Sequence, residues 1–237
     1  MASVSEAREP AAEMKFLIDS DCARAVSDWA RVHIGPDPYA HDETGCYQTT
    51  SLYFDTENLD VLHQRGSYAR SKYRVRRYGG GDGAFLERKL RKSGVVTKRR
   101  SVIGIDDLSR LGHTDPERGW SGYWFHRRIL ARRLRPVCQV SYRRLARVTE
   151  TQAGPLRLTV DQELLAHRTG ALRFDHGAAE IALSETQPIL ELKFRHEMPA
   201  LFSQLIEEFR LTPATVSKYR MAAAALGISG ISEPPPG

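Results

Sequence analysis

The feature that most constrains this chain is a repeated two-residue alternation of charge with apolar side chains. From Ala69 to Tyr78, Arg70, Lys72, Arg74 and Arg76 fall on one side of an extended segment, and Ala69, Ser71, Tyr73 and Val75 fall on the other. The same period recurs in Glu13–Ile18, Ala84–Leu90, Val95–Ile103, Val137–Val148, Leu156–Asp161 and Ile189–Arg195. The charged sides carry Glu13, Lys15, Arg70, Lys72, Arg74, Arg76, Glu87, Lys89, Lys98, Arg100, Arg144, Arg157, Asp161, Glu191 and Lys193. A solvent face usually intersperses both signs. This one is dominated by cations with a few single carboxylates.

The remaining pattern supplies the cover for such a sheet. Asp19 or Ser20 caps a predicted helix running to about His33, with Ala23, Val26, Trp29 and Ala30 on one face. Further helices are predicted after Asp55-Thr56 through Leu59 and Leu62, over Tyr123–Leu134, and at about 199–210 and 216–226. Gly79 to Gly83 reads as a hairpin turn; lacking Gly-Lys-Ser/Thr, it is no phosphate-cradling loop. The expected fold class is α+β: an antiparallel β-barrel of about eight strands, helices packed outside, with the charged faces lining a tunnel. The 237 residues divide into a loose N-terminal tail (1–10), one domain (11–228) and a loose C-terminal tail (229–237).

Charge then selects the ligand class. Of 35 basic residues only seven are Lys, and the net charge is +6. Arg65 to Arg100 holds thirteen basic residues against Asp82 and Glu87, and Arg127 to Arg147 holds eight arginines and no acid. A solvated basic face explains one such run; several runs sharing strand periodicity point to a polyanion. Like charges converging inside a barrel are costly unless an anion neutralises them. Carboxylates among the cations imply a divalent ion, Mg²⁺ or Mn²⁺, beside that anion. Aromatics make up only 8% and form no stacking platform, which argues against a nucleic-acid ligand. Cys22, Cys46 and Cys138 have neither disulfide nor zinc spacing. His41-Asp42-Glu43 is a loop triplet read as solvated, and Ser217-Lys218 lacks the oxyanion device of a Ser–Lys dyad. No apolar run is long enough for a membrane helix and the polar start is no secretory leader, so the expected location is the cytoplasm.

Seven short motifs, in order, carry a resemblance. Ser51-Leu52-Tyr53-Phe54-Asp55-Thr56, Lys72-Tyr73-Arg74-Val75-Arg76, Phe85-Leu86-Glu87-Arg88-Lys89, Lys98-Arg99-Arg100, Tyr142-Arg143-Arg144-Leu145-Ala146, Leu190-Glu191-Leu192-Lys193 and Ser217-Lys218-Tyr219 together resemble the VTC (polyphosphate polymerase) domain of the triphosphate tunnel metalloenzyme (CYTH-like) superfamily. The resemblance implies a tunnel that binds triphosphate end-on and transfers the γ-phosphate of ATP to inorganic polyphosphate, releasing ADP, with Mn²⁺ or Mg²⁺ as cofactor. It implies that Lys15, Arg74, Arg76, Lys89, Lys98, Arg144 and Lys218 grip phosphates and that Glu191 holds the metal. Lys72, Arg100, Arg157 and Lys193 join the phosphate-binding set, with Lys72 at the mouth. Arg74, Arg76, Lys89, Arg144 and Glu191 are the expected catalytic residues. Glu13, Glu87 and Asp161 are divided between metal-linked and structural roles. The hydrolase branch carries Glu-x-Glu-x-Lys on the first strand, whereas here the first position is Ala11, which argues against hydrolysis. A tunnel hydrolase and a non-catalytic polyphosphate-binding module remain the alternatives. The larger members add membrane helices; here none is seen, and a membrane partner stays open.

Overall fold

The computed structural model describes residues 11–38, 40, 44–92, 95–175, 179–183, 187–195 and 197–228. The tails expected at 1–10 and 229–237 and the triplet His41-Asp42-Glu43 lie outside them. In chain order the elements are β1 (Ala11–Leu17), α1 (Ser20–His33), β2 (Cys46–Asp55), β3 (Ser71–Tyr78), β4 (Gly83–Lys92), β5 (Val95–Gly104), α2 (Tyr123–Ala131), β6 (Arg135–Thr151), β7 (Gly154–Arg168), β8 (Ile181–Ala182), β9 (Ile189–Arg195), α3 (Ala200–Glu208) and α4 (Lys218–Ala225). Two 3-10 helices, Gly66–Tyr68 and Asp106–Gly112, complete the described secondary structure.

The strands form one antiparallel sheet in the order β1-β9-β7-β6-β2-β3-β4-β5, with β8 paired to β7. Gly79, at φ +54°, supplies the left-handed backbone in the β3–β4 turn, and Gly154, at φ +102°, does so in the β6–β7 turn. The apolar faces point outward under the helices. Val26, Trp29 and Ala30 of α1 and Phe202 and Leu205 of α3 pack on Phe16, Leu158, Leu190 and Leu192. Phe125 and Ile129 of α2 pack on Phe54, Tyr73, Val75 and Leu86. The Asp19 side chain caps α1 by accepting from the Cys22 amide at 2.7 Å.

The sheet rolls on itself. Lys89 Nζ on β4 lies 3.1 Å from Glu13 Oε2 on β1, although five strands separate β1 from β4 in the sheet. In a flat sheet that separation would be ~29 Å at ~4.8 Å per strand. Yet among the described residues no ladder joins β1 to β5. The described strands thus form the expected antiparallel sheet, curled into a trough, with no closing ladder found among them. The outer edge of β1 is covered by another segment: Phe16 bridges Pro213, and the Ala214 amide donates to the Lys15 carbonyl at 2.7 Å.

Two local expectations fail. No helix follows Asp55; its carboxylate instead accepts from the amides of Thr56, Val61 and Leu62 and binds these residues into a turn. The start of α4 does not lie on the outside. It enters the charged side, where Tyr219 stacks on Tyr53 and donates its hydroxyl to Asp55 at 2.7 Å.

Candidate active site

Strand alternation places every predicted site residue of β1, β3, β4, β5, β6, β7 and β9 on the trough side, and three carboxylate-centred groups result. The first spans β1 and β9. In the ladder, Glu13 faces Lys193 and Lys15 faces Glu191, so opposite charges meet across the strands. Lys15 lies 2.9 Å from Glu13 and 3.6 Å from Glu191, Lys193 lies 2.5 Å from Glu191 and 3.6 Å from Glu13, and Lys89 reaches in from β4. Burial raises the Glu13 pKa, as does neighbouring Glu191, but Lys193, Lys15 and Lys89 together hold it down at about 2. Glu191 is likewise held well below the carboxylate range against its burial, chiefly by Lys193 and Lys15.

Glu87 centres the second group. It is 2% exposed and contacts Arg74 at 2.6 Å, Lys98 at 2.5 Å and Arg100 at 3.1 Å. Asp161 centres the third: Arg144 holds it through two bonds of 2.6 and 2.7 Å, and Lys218 sits 2.6 Å away. Both acids are saturated by cations. This separates the four predicted metal residues. Only Glu13 and Glu191 come together with each other, and no cluster of three or more His, Cys, Asp or Glu occurs among the described residues. The pair still suits Mg²⁺ or Mn²⁺, since such ions commonly bind one or two carboxylates and take remaining ligands from substrate phosphates and water.

The other predicted residues divide by their partners. Arg157 is engaged by Asp37 at 2.7 Å and by the Tyr47 hydroxyl at 3.2 Å, which assigns it to holding the wall. Arg76 is 5% exposed and donates to Ser51 Oγ at 3.1 Å, with no carboxylate within ion-pair distance among the described residues. Lys72 donates to the Ser217 hydroxyl at 3.2 Å. Burial lowers its pKa to about 8, aided by Lys15, Lys89, Arg220 and Arg74. Lys98 is lowered to about 7 by burial and by Arg74 and Arg100, which outweigh Glu87.

One residue was missed. Tyr78 continues the Arg74–Arg76 face by the same two-residue step, and its hydroxyl accepts from Arg100 at 2.9 Å. Burial raises its pKa, but Arg76 and Arg100 bring it down to about 7. Leaving out Arg157, ten cations surround four carboxylates: Lys15, Lys72, Arg74, Arg76, Lys89, Lys98, Arg100, Arg144, Lys193 and Lys218 against Glu13, Glu87, Asp161 and Glu191. The formal excess of six positive charges, converging on one side of the sheet, suits the trough to a multiply charged anion.

The comparisons agree with this architecture. The family model for the VTC domain matches residues 11–227. A solved protein from Bacillus halodurans, named for adenylate cyclase, is 14% identical with a TM-score of 0.54, covering 88% of this chain and 94% of its own. An adenylyl-cyclase-named protein from Hippeastrum, described as having a dominant triphosphatase activity, is 15% identical with a TM-score of 0.52, covering 92% of this chain and 97% of its own. At these identities the likeness speaks for the fold. No protein with a curated description matches. Because the family match runs from β1 through α4 and takes in all three carboxylate groups, the chain belongs to the VTC domain family.

Proposed function

We propose that this chain is a polyphosphate polymerase that moves the γ-phosphoryl group of ATP onto inorganic polyphosphate and releases ADP. The observation that carries the reading is the imbalance in the trough: a large cationic excess, with Glu87 and Asp161 already consumed by arginine and lysine. Phosphoryl transfer asks for positioning and charge neutralisation. Hydrolysis additionally asks for a group that orients water, and neither saturated carboxylate is free for that work. A terminal phosphate oxygen of the acceptor attacks the γ-phosphorus, the bond to the β-phosphate bridging oxygen breaks, and its electron pair leaves on ADP. Arg76, Arg144, Lys89 and Lys218 would bind and align the phosphates of donor and acceptor. Arg74, Lys98 and Arg100 would neutralise charge while Glu87 keeps their heads in place. Glu13 and Glu191 would hold Mn²⁺ or Mg²⁺, which would supply Lewis-acid neutralisation of phosphate charge. The reading requires a compartment that supplies ATP, the cytoplasm. Among the described residues no helix is long and apolar enough to cross a membrane.

A triphosphate hydrolase is the second reading, favoured by the triphosphatase activity described for the Hippeastrum neighbour. The deciding experiment incubates purified protein with ATP and Mn²⁺ or Mg²⁺ and assays polyphosphate, ADP and free phosphate together. Polymer with ADP is the expected result. Free phosphate without polymer would transfer the case to hydrolysis, and binding without turnover would leave a polyphosphate-binding module.

The lysine pKa values give a further expected result. An anion placed beside Lys98 and Lys72 favours their charged forms, so both pKa values rise on binding from about 7 and about 8. Tripolyphosphate should therefore bind with net proton uptake at pH 7.5–8.5, and its affinity should fall as pH rises through that window. Calorimetry in two buffers of different ionisation enthalpy measures the uptake directly. Identical heats in both buffers would contradict it.

A further inference from the structure

The alternation that sends Glu87, Lys89, Lys98 and Arg100 into the trough sends Arg88 and Arg99 to the opposite side of the sheet. These two arginines are direct cross-strand partners in the β4–β5 ladder. They lie on the side that carries Leu86 and is covered by α2, a face otherwise built from apolar packing. Arg128, on the exposed surface of α2, is close enough that it and Arg88 both lower the Arg99 pKa, after burial. No carboxylate lies within ion-pair distance of any of the three among the described residues. The Nε of Arg88 is buried and has no hydrogen-bond partner. The Arg99 guanidinium sits 4.5 Å from the Trp124 ring centroid, and the Trp124 indole N–H is fixed by donating to Ser101 Oγ at 2.9 Å.

Like charges paired directly across a ladder oppose folding, and a buried donor without an acceptor adds to that cost. An anion seated among the three guanidiniums removes both penalties. Planar guanidinium forks match the oxygens of phosphate, and Arg is the side chain suited to that geometry. We propose that Arg88, Arg99 and Arg128 form an accessory phosphate-binding site on the outer face, separated from the trough by the thickness of the sheet. Its ligand is a phosphate group, supplied either as free orthophosphate or as the end of a short polyphosphate. The site does not depend on the reaction assigned to the trough, and failure of the ATP assay would leave it untouched.

Calorimetric titration of the full chain with orthophosphate, and separately with tripolyphosphate, tests it. At least one probe should fill two classes of site. Arg99→Gln and Arg128→Gln, both at exposed positions and so safe for folding, should each weaken one class at least tenfold and leave the other unchanged. Filling that class should also change tryptophan emission in the wild type and not in Trp124→Phe. Orthophosphate filling it identifies the free ion as ligand; filling by tripolyphosphate alone identifies a chain end. One class of site with both probes, or a second class that survives both substitutions, would overturn the proposal.

Discussion

Glu191→Gln is expected to lower metal-dependent turnover of ATP by ~10²–10³-fold, the usual consequence of removing one preorganised electrostatic group from a reacting centre, while triphosphate binding persists. Glu191 is buried between Lys193 at 2.5 Å and Lys15 at 3.6 Å. The amide keeps the shape and deletes the charge. Both lysines then lose part of their compensation, and the trough becomes more positive toward an anion. The substitution should therefore separate the constants: kcat falls, and the dissociation constant for tripolyphosphate stays level or drops. A purely structural salt bridge would not produce that split, because its loss would loosen the site and weaken binding. Steady-state kinetics across a Mn²⁺ titration, beside calorimetric binding, provide the check. An unchanged kcat at saturating metal would remove Glu191 from the reaction.

Asp161→Asn has its largest effect elsewhere. Asp161 is fully buried and joins Arg144 bidentately and Lys218 at once. Breaking a buried pair by neutralising one member leaves uncompensated charge and typically costs ~3–5 kcal/mol. In a domain of this size that lowers the melting temperature on the order of 10 °C. Arg144→Gln added to Asp161→Asn should restore part of the loss, since the stranded guanidinium is then gone. Acid should have the same effect in the wild type. Burial alone would raise the Asp161 pKa, but Arg144 and Lys218 hold it at about 2, below its ordinary 3.8. A depressed carboxylate stabilises the fold above its unfolded value and ceases to as pH falls through the folded one. That part of the stability should disappear between about pH 4 and pH 2, and the loss should be much smaller in the double variant. Thermal denaturation of the three proteins across that range measures both effects.

What could be read before the fold was known depended on how locally each feature is determined. β9 has the expected limits, Ile189–Arg195, because its apolar and charged residues alternate without interruption. Arg74, Arg76, Glu87 and Lys89 face the trough as periodicity requires. β7 extends seven residues beyond the expected end at Asp161, because the irregular register near Ser141 and Arg143 of β6 interrupts the pairing pattern without ending the strand. The turn after Asp55 was read as a helix because Leu59 and Leu62 have helical spacing. That spacing says nothing of a buried carboxylate collecting three amides and a tyrosine hydroxyl. The four predicted metal residues fall into separate groups for a related reason. Alternation tells which side of a strand a carboxylate occupies, and strand order decides which carboxylates meet. Glu13 and Glu191 are neighbours only because β1 pairs with β9, a contact between the two ends of the domain. The open seam has the same origin: whether β5 meets β1 depends on the curl of the whole sheet.

Among the described residues, that seam leaves a strand margin without a partner strand. One margin of the sheet, β1, is roofed by the segment around Pro213. The other, β5, pairs only with β4 among the described residues. An unpaired margin invites another molecule to add its own strand, the first step toward aggregation. Here the margin carries Lys98, Arg99 and Arg100 in succession. Two such margins brought together would set cation against cation. The basic run that serves the trough on one side of β5 would thereby also oppose the zipping together of copies along their edges.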